Sequence, residues 1–126
     1  MKLLLDTHVF IWWIGNAAAL GEKTRLAISK AQKVFVSHAS GWEFAIKKSL
    51  GKLDLSVDFE TAIDSEKFEK LPIDYHHIKA ISDMKNFHGD PFDRMLLAQS
   101  LVEDLLLVTA DRKMLKYPAK LMDAGT

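Results

Sequence analysis

The chain has 126 residues, no cysteine, and 17 basic (Lys and Arg) against 17 acidic (Asp and Glu) side chains. That length suits one domain able to bury about two thirds of its unfolded surface, and the missing cysteines exclude disulfides and thiolate metal sites. A formal net charge of zero argues against nonspecific, whole-surface attraction to nucleic acid, and leaves room for a local basic groove.

The start Met1-Lys2-Leu3-Leu4-Leu5 has the look of a signal peptide, but Asp6 and His8 interrupt it before an apolar core of useful length forms. The run Val9–Ile14 is far too short to span a bilayer. The expectation is a soluble, cytoplasmic protein with no membrane contact.

Residues 2–5 are a short apolar run bounded by Asp6, the pattern of a buried strand. Residues 7–14 read as a helix capped by Asp6 or Thr7 and stopped by Gly15-Asn16. Residues 20–32 read as an amphipathic helix, with Leu20, Ala27, Ile28 and Ala31 on one side and Glu22, Lys23, Arg25 and Lys30 largely on the other. Residues 33–37 are a second strand, rich in β-formers. A helix over 40–50 ends at Gly51. Residues 57–68 and 74–84 read as helices, with Leu71-Pro72-Ile73 between them extended as a short edge strand. Asn86 to Gly89 is a polar loop, and Pro91 opens a helix that runs to about residue 103. Residues 105–109 are a third strand, 111–116 a short helix ended by Tyr117-Pro118, and Lys120-Leu121-Met122 a last short strand.

Strands alternating with helices imply right-handed crossovers and a parallel sheet. The expected fold is α/β: a three-layer α/β/α sandwich with a small, mostly parallel sheet, one domain over residues 1–126. No internal repeat, low-complexity tract or linker interrupts the chain.

Four acids stand at or near the handover from strand to helix. Asp6 ends the first strand, Glu43 sits one turn into the helix after Val34-Phe35-Val36, Asp93 follows Pro91, and Asp111 follows the strand 105–109. In an open parallel sheet the carboxyl ends of the strands gather at one rim, where ligands bind. Acids scattered along the sequence thus converge, and their repulsion calls for a cation. Hard oxygen ligands of this kind suit Mg²⁺ or Mn²⁺. Each acid also has a structural explanation. Asp6 and Asp111 can cap helices, Ser40-Gly41-Trp42-Glu43 fits a capping box, and Asp93 favours a helix dipole. Their joint placement on one rim is what capping alone does not explain. Asp90 reads first as the N-cap before Pro91, with an accessory place among the acids. Thr7 and Thr109 carry hydroxyls beside the acids, as caps or as partners for a carboxylate or phosphate.

The residues that carry this pattern also carry a resemblance. Leu3-Leu4-Leu5-Asp6-Thr7-His8, then Ser40-Gly41-Trp42-Glu43, then His88-Gly89-Asp90-Pro91-Phe92-Asp93-Arg94 with Ala98-Gln99, then Val108-Thr109-Ala110-Asp111 resemble a PIN domain. More narrowly, they resemble the VapC-type toxins of prokaryotic toxin–antitoxin pairs. The resemblance covers essentially the whole chain, and Asp-Pro-Phe-Asp-Arg with the later Thr-x-Asp is its most specific part. It implies a metal-dependent endoribonuclease with RNA as substrate and a cognate antitoxin as partner. It implies Asp6, Glu43, Asp93 and Asp111 as the catalytic quartet and metal ligands, around one or two Mg²⁺ or Mn²⁺ ions. Chemically, Asp6 and Asp93 are the first choices as direct ligands. Glu43 suits a second ion or the attacking water, and Asp111 a water-mediated contact or the second ion's shell.

RNA must also be held. Lys47, Lys48 and Lys52 follow Glu43 by one to three turns and Arg94 adjoins Asp93, so these are candidate phosphate contacts. The competing reading pairs Lys47 with Glu43 at i, i+4. Phe10, Trp12 and Trp13 point in different directions on one helix, which suggests core packing plus a homodimer contact better than base stacking. Trp42 is expected in the core. The five histidines share no metal-ligand spacing and read as structural or surface groups. The six glycines are scattered singly, so no P-loop is present.

Two other classes compete. A non-catalytic RNA- or protein-binding module on the same fold would gain nothing from crowded carboxylates. A receiver-like phosphorylation domain would need paired acids after its first strand and a late lysine, where this chain has one acid and Asp111.

Overall fold

A computed structural model of the chain describes residues 1–84 and 89–126. The strands are β1 (Lys2–Leu5), β2 (Lys33–Ser37), β3 (Glu69–Leu71), β4 (Leu106–Thr109) and β5 (Leu121–Asp123). They form one sheet in the order β3-β2-β1-β4-β5, with every pair parallel. The helices are α1 (Thr7–Ile14), α2 (Glu22–Lys30), α3 (His38–Ser49), α4 (Phe59–Ser65), α5 (Tyr75–Asp83), α6 (Pro91–Glu103) and α7 (Arg112–Leu115). The expected α/β layering is present, and the sheet is wholly rather than mostly parallel among the described residues.

The layers follow from strand alternation. Side chains on a strand point to opposite faces in turn, and a parallel sheet covered on both faces reads as continuous apolar runs. Leu3, Leu4 and Leu5 in the central strand are all fully buried. Leu3 and Leu5, with Val34, Val36 and Val108, join Val9, Phe10, Ile28, Phe44 and Phe59 in one core. Leu4 and Leu107 point the other way and join Leu96, Leu97, Ala98 and Met114 in a second core, with Phe35 packed against it. Leu3, Leu4 and Leu5 each face neighbours on both sides: Val34, Phe35 and Val36 in β2, and Leu106, Leu107 and Val108 in β4.

Helix α2 is shorter than the sequence reading by two residues at each end, several other bounds move by one, and three differences have a clear local cause. Helix α3 begins at His38, because the Ser37 hydroxyl accepts from the Ala39 N–H at 2.9 Å and caps it there. Helix α4 ends at Ser65, since Lys67 takes a left-handed φ of 59° that breaks the helical path. The edge strand therefore falls on Glu69–Leu71, before Pro72, and pairs with Phe35–Ser37. The Pro72 carbonyl instead accepts from Gln99 Nε2 at 3.3 Å, which gives Gln99 a structural task. The loop expected from Asn86 and the His88 of the motif lie outside the described residues, while α6 spans Pro91–Glu103 as expected.

The strand order sets the position of the site. The chain steps from β1 to β2 to β3 on one side, then returns to place β4 on the other side of β1. Such a reversal opens a crevice at the carboxyl ends of the two strands flanking it. Those ends are Leu5, followed by Asp6, and Thr109, followed two residues later by Asp111. Among the described residues, no helix is long and apolar enough to cross a membrane.

Candidate active site

The crevice is lined by Asp6, His8, Trp12, Glu43, Lys47, Asp90, Asp93, Ala110 and Asp111, around a cavity of about 280 Å³. All four acids of the sequence-predicted quartet thus meet in one place, and Asp90 joins them.

Asp6 and Glu43 are the two buried acids of the crevice. Asp6 caps α1 by accepting from the Val9 N–H at 2.8 Å through Oδ1, and accepts from Thr109 Oγ1 at 2.5 Å through Oδ2. Thr109 Oγ1 in turn accepts from the Asp111 N–H at 3.1 Å, so one hydroxyl ties the ends of β1 and β4 together. Burial pushes the Asp6 carboxyl above its ordinary value, opposed by the hydrogen bonds from Thr109 and Val9, while the nearby Glu43 charge adds to the rise. A carboxylate in that condition carries charge at a cost that a cation would relieve.

Glu43 points inward from α3 and is buried. It does not reach back to Ser40 as a capping box would. Its Oε1 accepts from Thr7 Oγ1 at 2.5 Å, across the crevice from α1, and its Oε2 accepts from Lys47 Nζ at 2.7 Å. The Ser40 hydroxyl is buried with no hydrogen-bond partner among the described residues. Thr7 and Thr109 are accordingly buried carboxylate holders rather than side-chain caps.

Asp90 caps α6, accepting through Oδ1 from Phe92 N–H at 2.8 Å and Asp93 N–H at 3.1 Å. Asp111 caps the short α7, accepting from the Lys113 N–H at 2.8 Å. Capping and cleft lining are therefore not rival readings for Asp6, Asp90 and Asp111, since the same residue does both. Asp93 stands in the first turn of α6.

Lys47 is a lining residue, but its ammonium is engaged with Glu43. Glu43, Asp90 and Asp93 hold it above the ordinary lysine value, the Glu43 hydrogen bond foremost. Lys48 lies outside the lining and approaches Asp54 at 4.0 Å, and Arg94 is not in the lining either. The basic groove expected from these residues is thus represented in the crevice by Lys47 alone.

One aromatic expectation changes. Trp42 is 61% exposed, its ring set edge-on to Phe92 at 5.1 Å, so it is not a core residue. Phe10 is fully buried, and Trp12, Trp13 and Ile14 are half-buried against the core around it. Helix α1 packs against the core as expected, and its two tryptophans each leave part of the ring at the surface. Among the exposed apolar residues, Trp42 and Ile46 on α3 and its C-cap Leu50 recur at helical spacing. Sequence reading also missed His8 and Trp12 as crevice residues. Their signal was the i, i+4 spacing on a helix capped by Asp6.

His77 is buried, with Nδ1 accepting from the Asp74 N–H at 3.1 Å and Nε2 lying 2.8 Å from Glu103 Oε2. Among the described residues, Asp74, His77 and Glu103 are the trio whose ligand atoms lie within 4.8 Å of one another. Both ring nitrogens of His77 already serve the capping box of α5 and the tie to α6, so the structural reading of this histidine holds. The crevice acids are spread more widely than this trio. Mg²⁺ and its like keep several waters and bind through one or two carboxylates directly, so they do not require three acids that close together. The donor set of oxygen ligands in a crevice, one of them desolvated, fits a hard divalent cation.

The PIN domain profile matches residues 3–120. Ribonuclease VapC22 of Mycobacterium tuberculosis is 27% identical over 115 residues, covering 89% of this chain and 88% of its own. Among solved structures, VapBC2 from Rickettsia felis, bound to a promoter DNA fragment, aligns with a TM-score of 0.73 at 13% identity, over 98% of both chains. A toxin–antitoxin complex from Klebsiella pneumoniae aligns at 0.68 with 15% identity, over 97% of both chains. FitAB bound to an IR36 DNA fragment aligns at 0.66 with 13% identity, over 100% of this chain and 96% of that one. At these identities the structures show the fold. The profile spans Asp6, Glu43, Asp93 and Asp111 of the crevice, and the chain belongs to the PIN domain family.

Proposed function

We propose that this protein is a metal-dependent endoribonuclease that hydrolyses RNA phosphodiester bonds, acting as the toxin of a toxin–antitoxin pair. The observation that carries this reading is the convergence of Asp6, Glu43, Asp93 and Asp111 in one crevice at the topological switch of the sheet. A binding module has no use for carboxylates that repel one another, which weighs against the non-catalytic alternative.

When bound, a divalent cation supplies Lewis acidity toward the phosphoryl oxygens and a water nucleophile at neutral pH. Asp6 and Asp93 would hold it, with Asp111 completing the set. Thr109 fixes the Asp6 carboxylate in place through its hydroxyl. Glu43, held by Thr7, is oriented to accept a proton from the attacking water or to join a second ion. Lys47 neutralises Glu43 until then and is the crevice group suited to a substrate phosphate.

The partners follow from the same reading. Ribonuclease VapC22 and the toxin–antitoxin complexes are what the chain is similar to, and we extend from them to a cognate antitoxin and a homodimer. The exposed Trp42 and Ile46 on α3, with its C-cap Leu50, are the apolar surface offered for such contacts. The test is cleavage by the purified protein, free of any partner, of a broad RNA panel. Cleavage with Mg²⁺ or Mn²⁺ that stops in excess EDTA is expected. Cleavage that persists in EDTA, or none with either metal, overturns the reading.

A further inference from the structure

Two tryptophans stand side by side on α1, both half-buried against the core, and among the described residues only one has a hydrogen-bond and ring partner. Trp13 donates from Nε1 to Glu66 Oε1 at 2.6 Å and packs its ring 6.2 Å from that of Phe68. Trp12 packs partly against the core and lines the acidic crevice. Its indole has neither a hydrogen-bond partner nor a ring partner among the described residues.

We propose that Trp12 is a stacking platform for an unpaired nucleobase adjoining the scissile phosphate. The proposal rests on the nuclease reading and adds a base-holding residue to it. Charge gives the first reason. The crevice presents Asp6, Glu43, Asp90, Asp93 and Asp111 against Lys47, already paired, and His8. Beyond a bound cation and Lys47, a polyanion entering there meets mostly like charge, so a non-Coulombic contact adds to its hold. Base–aromatic stacking supplies it without regard to sequence, because every base has a π-face.

Placement gives the second reason. Asp6 caps α1, and His8 and Trp12 follow on one face at i, i+4. Six residues of helix carry Trp12 about 9 Å along the axis from Asp6, so a phosphate at the acids leaves its neighbouring base beside the indole. The platform is also rigid, because Val9 and Phe10 of the same helix are fully buried. In an A-form duplex the bases are paired and stacked on each other, out of reach of such a ring.

The experiment compares wild type, Trp12→Leu and Trp12→Phe on a single-stranded RNA and on the same RNA with an abasic ribonucleotide moved through the positions flanking the cut. Cleavage is followed in Mn²⁺. Binding is followed by anisotropy of a labelled oligonucleotide in Ca²⁺, which requires no turnover, and thermal melts verify folding. For wild type, one abasic position should lower kcat/KM and affinity about tenfold, within the range of base–aromatic stacking. Trp12→Leu should show that same loss on intact RNA and no further loss on the abasic strand, and Trp12→Phe should retain most of the wild-type response. Equal abasic sensitivity in wild type and Trp12→Leu, or none in either, overturns the proposal. Stacking seen in binding while no RNA is cut would overturn the nuclease reading alone, and absence of binding by wild type would overturn both.

Discussion

Replacing Lys47 by Met removes a charge and keeps most of the aliphatic stem, which isolates the electrostatic part of the Glu43 site. Glu43 is 6% exposed by its side chain and Lys47 31%. Breaking a fully buried pair costs about 3–5 kcal/mol, whereas an exposed pair contributes roughly 0.2–1 kcal/mol. One buried and one partly solvated partner place the cost between these, at about 1–2 kcal/mol after discounting for solvent screening. For a chain of this size that lowers the melting temperature by roughly 4–8 °C in EDTA. If the crevice holds a divalent cation, that cation supplies the charge Glu43 has lost and no longer competes with an ammonium. Saturating Mn²⁺ should therefore raise the melting temperature of Lys47→Met more than that of wild type and close at least half the gap. The assay is a pair of melts, with EDTA and with Mn²⁺, for both proteins. An identical Mn²⁺ response in the two would refute the view that Lys47 stands in for a metal at Glu43.

Two further perturbations probe other parts of the structure. Asp6→Asn keeps an N-cap of similar quality for α1 and removes a carboxyl whose pKa is raised by burial. A raised acid contributes stability that is present at low pH and lost as pH climbs through its folded-state value. The melting temperature of the variant relative to wild type should thus increase across that window in EDTA, and a difference that stays flat or falls would contradict it. Glycine substitutions should split in sign. At Gly21 an added methyl would sit 2.2 Å from the Thr126 carbonyl carbon, whereas at Gly41 in α3 its nearest neighbour is Phe59 at 3.7 Å. Gly21→Ala should lose about 1–3 kcal/mol in urea unfolding and Gly41→Ala should gain up to about 1 kcal/mol; the reverse order would contradict the packing described.

The sheet was readable because its strands carry their burial openly. Leu3–Leu5, Val34–Val36 and Leu106–Val108 are continuous apolar runs, as strands buried on both faces must be. The acids were readable because Asp6 and Asp111 stand just beyond those runs and topology does the rest. What escaped the sequence was decided by contacts between distant segments. The Ser40-to-Glu43 spacing imitates a capping box, yet Ser37 had already started the helix and Thr7, 36 residues away, holds Glu43. The end of α4 depends on the left-handed turn at Lys67, a residue with no strong local preference for it. Trp42 reads as a core aromatic alongside those of α1, but on α3 the inward direction belongs to Glu43 and Phe44. Trp12 was grouped with its neighbours, and only the fold separates the indole that lines the crevice from the one tied to Glu66.

The central claim is that the crevice acids form one divalent-cation site. It is tested most directly by titrating Mn²⁺ into wild type and Asp93→Asn and reading free ion by electron paramagnetic resonance. Asp93 lines the crevice from the first turn of α6, where a plain dipole role would leave metal affinity untouched. Wild type should bind Mn²⁺ saturably, and the variant should bind at least about tenfold more weakly, a loss of roughly 1.4 kcal/mol. Equal affinity in the two proteins, or no saturable binding by wild type, would contradict the account.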